Sequence, residues 1–302
     1  MNAPPSLLAK AARTTVGVHS TIAPTHISVA IGLGTDRRGT GMIISPDGLI
    51  LTAHYILLGA QSVVATLAGG EQCEAKIVGR DYGTGLGLLK ISGKRLPWIE
   101  VASSNECETG QEAFTVSSIG AEKRCGDCGV ITYLGPFDAV WEFVLDRCIC
   151  VTASSLSIGL SGGPICDTKG RAIGIAYLNF ADLGRAILGI PGEYFLAVRD
   201  ELIEHGRRVS AIPRGWLGVL SYTMREHVVI AGVMPTTPGE KAGLQQGDVV
   251  LAIDGREVSE RRALYEAVRG HRPGEGIALK VLRTNRAFDL EAVAGRAEDY
   301  FA

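Results

Sequence analysis

From about residue 25 to residue 192, short apolar runs alternate with turns rich in Gly, Asp and Ser, the pattern of strands closed into barrels. Cys148–Ala153 reads as one such strand, and Gly170–Ala176 as a turn leading into the next. The runs form two sets that meet near residue 105, so two barrels are expected with a cleft between them. Residues 1–24 lack this rhythm and read as a loosely specified arm. The period then changes: Phe195, Leu196, Val198, Leu202 and Ile203 recur at helical spacing within Glu193–Val209, and Pro213 closes the connection. The expected organisation is an arm (1–24), a double-barrel domain (25–198), a linker (199–213) and a smaller domain (214–302), mainly β throughout.

Composition fits this plan. A chain of 302 residues suggests about two domains, and 46% hydrophobic residues with 39 glycines suit a turn-rich β protein with substantial cores. The net charge of -2 gives no reason to expect nucleic acid or an anionic membrane as partner. No apolar run reaches the roughly 18 residues that a spanning helix needs. Met1–Pro5 has neither the basic region nor the apolar core of a secretory signal, so the sequence reads as cytoplasmic, with a periplasmic or exported location as the alternative if a leader has been removed.

Seven cysteines leave at least one without a disulfide partner, which suits a reducing compartment. Cys125 and Cys128, with Cys148 and Cys150, form the only arrangement that invites a metal or a redox pair. The second spacing is wrong for most zinc ribbons, and on a strand Cys148 and Cys150 face one side as small apolar residues. No metal and no cofactor is expected.

The segment Gly159-Leu160-Ser161-Gly162-Gly163-Pro164 carries the chemistry. Gly159 and Gly162 permit a tight backbone that aims Ser161 outward and turns the amides of Gly159 and Ser161 toward one point, an oxyanion hole. This is the form in which chymotrypsin-like proteases hold their nucleophile. A serine hydroxyl needs a histidine to remove its proton and a carboxylate to orient that histidine.

With Gly39–Thr52, Ala75–Asp81, Leu86–Ile91 and Arg214–Val219, the hexapeptide makes the chain resemble the HtrA/DegP family of serine proteases. The resemblance runs through most of the sequence and implies a chymotrypsin-like double β-barrel followed by a PDZ domain. It also locates the triad positions. Counted without gaps from Leu51-Thr52 to Gly59-Ala60, the family's histidine falls on Tyr55, with His54 one residue early. The aspartate falls on Gly85, and only Ser161 is in place. Asp81 is the nearest carboxylate, although it matches a family residue outside the triad.

Two functions follow. The first is a proteolytically inactive peptide-binding or scaffold protein on a protease fold. The second is an active endopeptidase in which a one-residue deletion makes His54 the base. Without a base, a lone serine loses roughly a millionfold in turnover, or ~8 kcal/mol of transition-state stabilisation. A phenol with a pKa of about 10 is a poor proton acceptor at neutral pH, so Tyr55 is no substitute.

In the smaller domain, Trp216–Val219, Pro238–Leu244 and Gly247–Gly255 follow the order of a bacterial-type PDZ domain. The resemblance implies that the amides of Leu217, Gly218 and Val219 hold the C-terminal carboxylate of a protein or peptide partner beside a helix. Ser259–Val268 fits that helix. Leu264 and Val268, four apart on one face, are either groove contacts or core residues. A homotrimer is the assembly that the resemblance implies.

Overall fold

The structure is a computed structural model and describes residues 5–119, 123–153, 159–180 and 185–301. Contacts divide it into two units. The first comprises residues 1–24, 34–136 and 146–210; the second comprises 25–33, 137–145 and 211–302.

The first unit opens with helix α1 (Pro5–Thr14) and contains two sheets. The first sheet is built from β1 (Thr15–Ile22), β2 (Asp36–Ile43), β3 (Leu49–Ala53), β4 (Ala60–Thr66), β5 (Gln72–Glu74), β6 (Lys76–Asp81) and β7 (Leu86–Lys90), in the order β5-β4-β1-β2-β3-β7-β6. Between β2 and β3 the chain turns at Gly48, whose φ of +94° suits a residue without a side chain, and the Ser45 hydroxyl accepts the Leu49 amide at 3.0 Å.

The second sheet closes into a barrel of β8 (Glu112–Ile119), β9 (Lys123–Asp138), β10 (Val144–Ala153), β11 (Pro164–Cys166), β12 (Ala172–Phe180) and β13 (Ala186–Pro191). Ile131, Ile149, Val151, Ile165, Ile173 and Ile187 fill its interior. These β-branched side chains suit a pleated surface buried on the inner face. Helix α2 (Gly192–His205) follows and ends where Gly206 takes a φ of +69°.

Two expectations about the chain's ends and links need correction. Residues 15–22 are not part of a loose arm: β1 pairs with both β2 and β4, and Val16, Val18 and Ile22 are buried. The alternation that buries them is only a few residues long and follows an Ala-rich stretch, so it is easily overlooked. The linker is also shorter than 199–213, because α2 runs to His205.

The second unit holds a sheet of β14 (Val219–Met224), β15 (His227–Val233), β16 (Val249–Ile253), β18 (Gly276–Arg283) and β19 (Arg286–Val293) in that order, with β17 (Arg256–Glu257) paired to β16. Helices α3 (Pro238–Lys241), α4 (Arg261–Arg269) and α5 (Glu298–Phe301) complete it. Its core includes Val228, Ile230, Val250, Leu264, Tyr265, Val268, Ile277, Leu279 and Val281. It also gathers residues 25–33 and 137–145, which the sequence expectation assigned to the larger domain. Among the described residues no helix is long and apolar enough to cross a membrane, and no disulfide joins the seven cysteines.

Candidate functional site

The turn that carries Ser161 is fixed by three strands. From β2, the Thr40 hydroxyl donates to the Gly159 carbonyl at 2.5 Å and the Thr40 amide to the Ser161 carbonyl at 2.8 Å. The Ser118 amide of β8 donates to the same hydroxyl at 2.8 Å, and the Gly162 amide donates to the Ala176 carbonyl of β12 at 2.6 Å. Gly159 and Gly162 have φ of +75° and +87°. A methyl group at residue 162 would overlap the Thr40 carbonyl oxygen and the Thr52 hydroxyl, so only glycine lets the turn approach these strands.

Three hydroxyl-bearing residues meet at the serine. Ser161 Oγ donates to the Tyr177 carbonyl at 3.0 Å, and the Tyr55 phenol makes a long 3.5 Å contact with the same oxygen. The Tyr55 ring lies edge-on to the Tyr177 ring, with centroids 5.3 Å apart. Burial pushes the Tyr55 phenol further above its usual range, opposed by the Ser161 hydroxyl and the charge of Arg37.

His54 opens the 3-10 turn His54–Ile56, and its ring packs against two tyrosines. Its Nδ1 lies 3.3 Å from the Tyr177 hydroxyl, its ring stacks on the Tyr177 ring at 6.1 Å, and the Tyr82 ring meets it edge-on at 5.7 Å. Burial lowers the His54 pKa to about 4, with a hydrogen bond to the Gly85 backbone opposing and the charge of Arg80 assisting. At neutral pH the imidazole is uncharged.

Gly85 follows a sharp turn at φ +82°, and its carbonyl accepts the His54 amide at 2.8 Å. A Cβ there would meet the Tyr177 ring at 2.9 Å and Ile190 at 3.2 Å. Tyr177 therefore fills the space that a side chain at residue 85 would need. Asp81 is committed to its own turn, accepting from the Gly83 amide at 3.0 Å and the Thr84 hydroxyl at 2.6 Å. The structure thus brings Ser161, Tyr55 and Tyr177 together, while the His54 ring packs on Tyr177 and Tyr82.

In the second unit, Gly218 takes a φ of +78°, and a Cβ there would press on Thr237 at 2.5 Å. The resulting loop turns three successive amides toward one carboxylate. Leu217, Gly218 and Val219 donate to the side chain of Glu142 at 3.1, 2.7 and 3.0 Å. Glu142 itself adopts φ +58° and is buried. Burial pushes its carboxyl up to about 7, while those amides and the charge of Arg269 pull it down. Leu264 and Val268 lie on α4, fully buried in the core cluster that also holds Val144, Leu217 and Val219.

Comparison with known proteins agrees with both units. The trypsin-like peptidase domain matches residues 39–175, and the PDZ domain matches residues 215–292. The structures of the HtrA-type protease AlgW with a decapeptide and with a tripeptide align over 96% of this chain. They cover 97% and 95% of those chains, with TM-scores of 0.57 and 0.58 and identities of 27% and 28%. The chain belongs to the HtrA family.

Among this HtrA protein's curated relatives are probable periplasmic serine endoproteases described as DegP-like. That of Ectopseudomonas mendocina is 29% identical over 275 residues, covering 85% of this chain and 56% of the relative. That of Chlamydia trachomatis is 30% identical over 268 residues, covering 84% and 53%. The chain spans about half the length of these relatives.

Two residues of the HtrA chain's sites escaped the sequence reading. Tyr177 sits in a strand that reads as ordinary barrel wall, and only its bulk beside small residues marks it. Glu142 is 75 residues or more from the amides it meets, and nothing local to it signals the pairing.

Proposed function

We propose that this HtrA-family protein does not cleave peptide bonds and works as a peptide-binding or scaffold protein through its PDZ domain. One observation carries the reading: the Ser161 hydroxyl donates its hydrogen bond to the Tyr177 carbonyl, and its neighbour is the Tyr55 phenol rather than an imidazole. A backbone carbonyl does not act as a general base at neutral pH, and a phenol raised above its usual pKa stays protonated there. His54 is neutral, but burial that lowers its pKa to about 4 makes it a weak base, and its Nδ1 engages the Tyr177 hydroxyl. Gly85 supplies no carboxylate to orient a base. The turn glycines around Ser161 support the retention of the loop's shape, which does not require turnover.

Unfolded casein and a fluorophosphonate probe test this. No cleavage and no labelling of Ser161 are expected, whereas cleavage abolished by Ser161→Ala would restore the endopeptidase reading with His54 as base. For the PDZ domain, a peptide ending in a free apolar carboxylate is the expected ligand through the Leu217–Val219 amides, and amidating its terminus should abolish binding. The relatives' names support the periplasm as compartment, and the family resemblance supports a homotrimer.

A further inference from the structure

We propose that the PDZ carboxylate loop already has a resident ligand in this chain: the segment 137–145, whose Glu142 side chain stands where a partner's terminal carboxylate would bind. The inference rests on the peptide-binding reading of that loop and adds its regulation. All the residues involved belong to the second unit.

The segment is held as a bound peptide would be. Its carboxylate takes the three loop amides at 2.7–3.1 Å. Its backbone meets the edge of β14, where the Ser221 amide donates to the Val140 carbonyl at 2.8 Å. From α4, on the other side of the groove, the Tyr265 hydroxyl donates to that same carbonyl at 2.7 Å. Arg261 binds Asp138 through both its side chain and its carbonyl at 2.5 and 2.6 Å, and Arg269 binds the Glu142 carbonyl at 2.9 Å. Val144 enters the apolar cluster beside Leu264 and Val268, as the side chain of a ligand would.

The chain reverses within the segment, with the Ala139 amide donating to the Phe143 carbonyl at 2.8 Å. Glu142 is left-handed in that reversal. An internal segment has no free carboxylate of its own, so a side chain must supply one. Glutamate at this left-handed position does so. A left-handed non-glycine residue costs about 1 kcal/mol, a strain that the charge-assisted bonds offset.

An incoming peptide must therefore exchange with the segment rather than enter an empty groove. A groove open a tenth of the time weakens apparent affinity about tenfold. The test uses the full chain, wild type and Glu142→Ala, titrated with a peptide ending in a free apolar carboxylate, while hydrogen exchange follows the amides of Leu217, Gly218 and Val219. These amides are expected to be protected in the wild type, exposed in Glu142→Ala, and protected again once peptide is added, with the variant binding about tenfold tighter. If circular dichroism shows that Glu142→Ala does not fold, Glu142→Gln takes its place, since it keeps the shape without the charge.

Equal affinity in wild type and variant overturns the self-occupied groove and leaves the peptide-binding reading standing. Where neither protein binds peptide, exchange decides: amides exposed by the substitution support the resident ligand and overturn peptide binding. Unchanged protection in that case overturns the resident ligand as well.

Discussion

At the scale of single residues, Tyr177 decides how the Ser161 site can be changed. Tyr55→His places an imidazole beside Ser161, but Gly85→Asp must then fit a side chain against a ring 2.9 Å from its Cβ, on a backbone at φ +82°. The double variant is therefore expected to remain unlabelled by fluorophosphonate. Adding Tyr177→Ala removes the ring and should allow labelling of Ser161, which mass spectrometry of the labelled peptide checks. Labelling of the double variant alone would mean that Tyr177 moves aside easily. His54 gives a second prediction. Its pKa is about 4 when folded against 6.5 when exposed, so between these values the unfolded chain binds more protons and stability falls as the pH falls. Its contribution is complete above about pH 6.5. Between pH 7 and pH 5 it should decline by about 2 kcal/mol. Urea unfolding of wild type and His54→Gln should show a stability gap that narrows by that amount. The comparison is needed because Glu142, raised to about 7, has the opposite sign: the folded state binds its proton more tightly, so its contribution weakens as pH rises from 4.5 through 7.

At the scale of elements, most of the architecture is legible because its signals are local. The turn at 159 and 162 takes left-handed backbone, which glycine permits, and glycines so placed between two apolar runs mark the Ser161 loop directly. The PDZ helix expected over Ser259–Val268 forms as Arg261–Arg269, carried by the spacing of Leu264 and Val268. What stays hidden depends on pairing between distant stretches. β1 has a brief alternation that means little until β2 and β4 are placed on either side of it. The Tyr55–Tyr177 contact joins residues 122 apart, and the Glu142 bonds join residues 75 to 77 apart. Neither Tyr177 nor Glu142 has a neighbour in sequence that reveals its partner. The same physics explains why the His54 alternative remains open on sequence alone: adjacent residues in a tight 3-10 turn point in different directions, and only the packed rings show which one faces the serine.

At the scale of the whole molecule, the chain crosses between its two units more than once, since residues 25–33 and 137–145 leave the first to join the second. Each unit nevertheless has a core of its own, one around Ile131, Ile149 and Ile165 and the other around Val250, Leu264 and Leu279. Separate cores in a chain of this length favour separate unfolding, because two-state behaviour is typical only of single small domains. Calorimetry of the wild type should therefore show two transitions. One core truncation in each unit identifies them: Ile149→Ala and Leu279→Ala remove side chains that are 0% and 2% exposed, each at a cost of about 2–5 kcal/mol. Each variant should lower one transition by several degrees and leave the other in place. A saturating peptide with a free apolar C-terminus should then raise only the transition that Leu279→Ala lowers, since a ligand at 100 times its Kd adds about 2.7 kcal/mol to the unit it binds. A single transition lowered equally by both truncations would show instead that the two cores unfold as one cooperative whole.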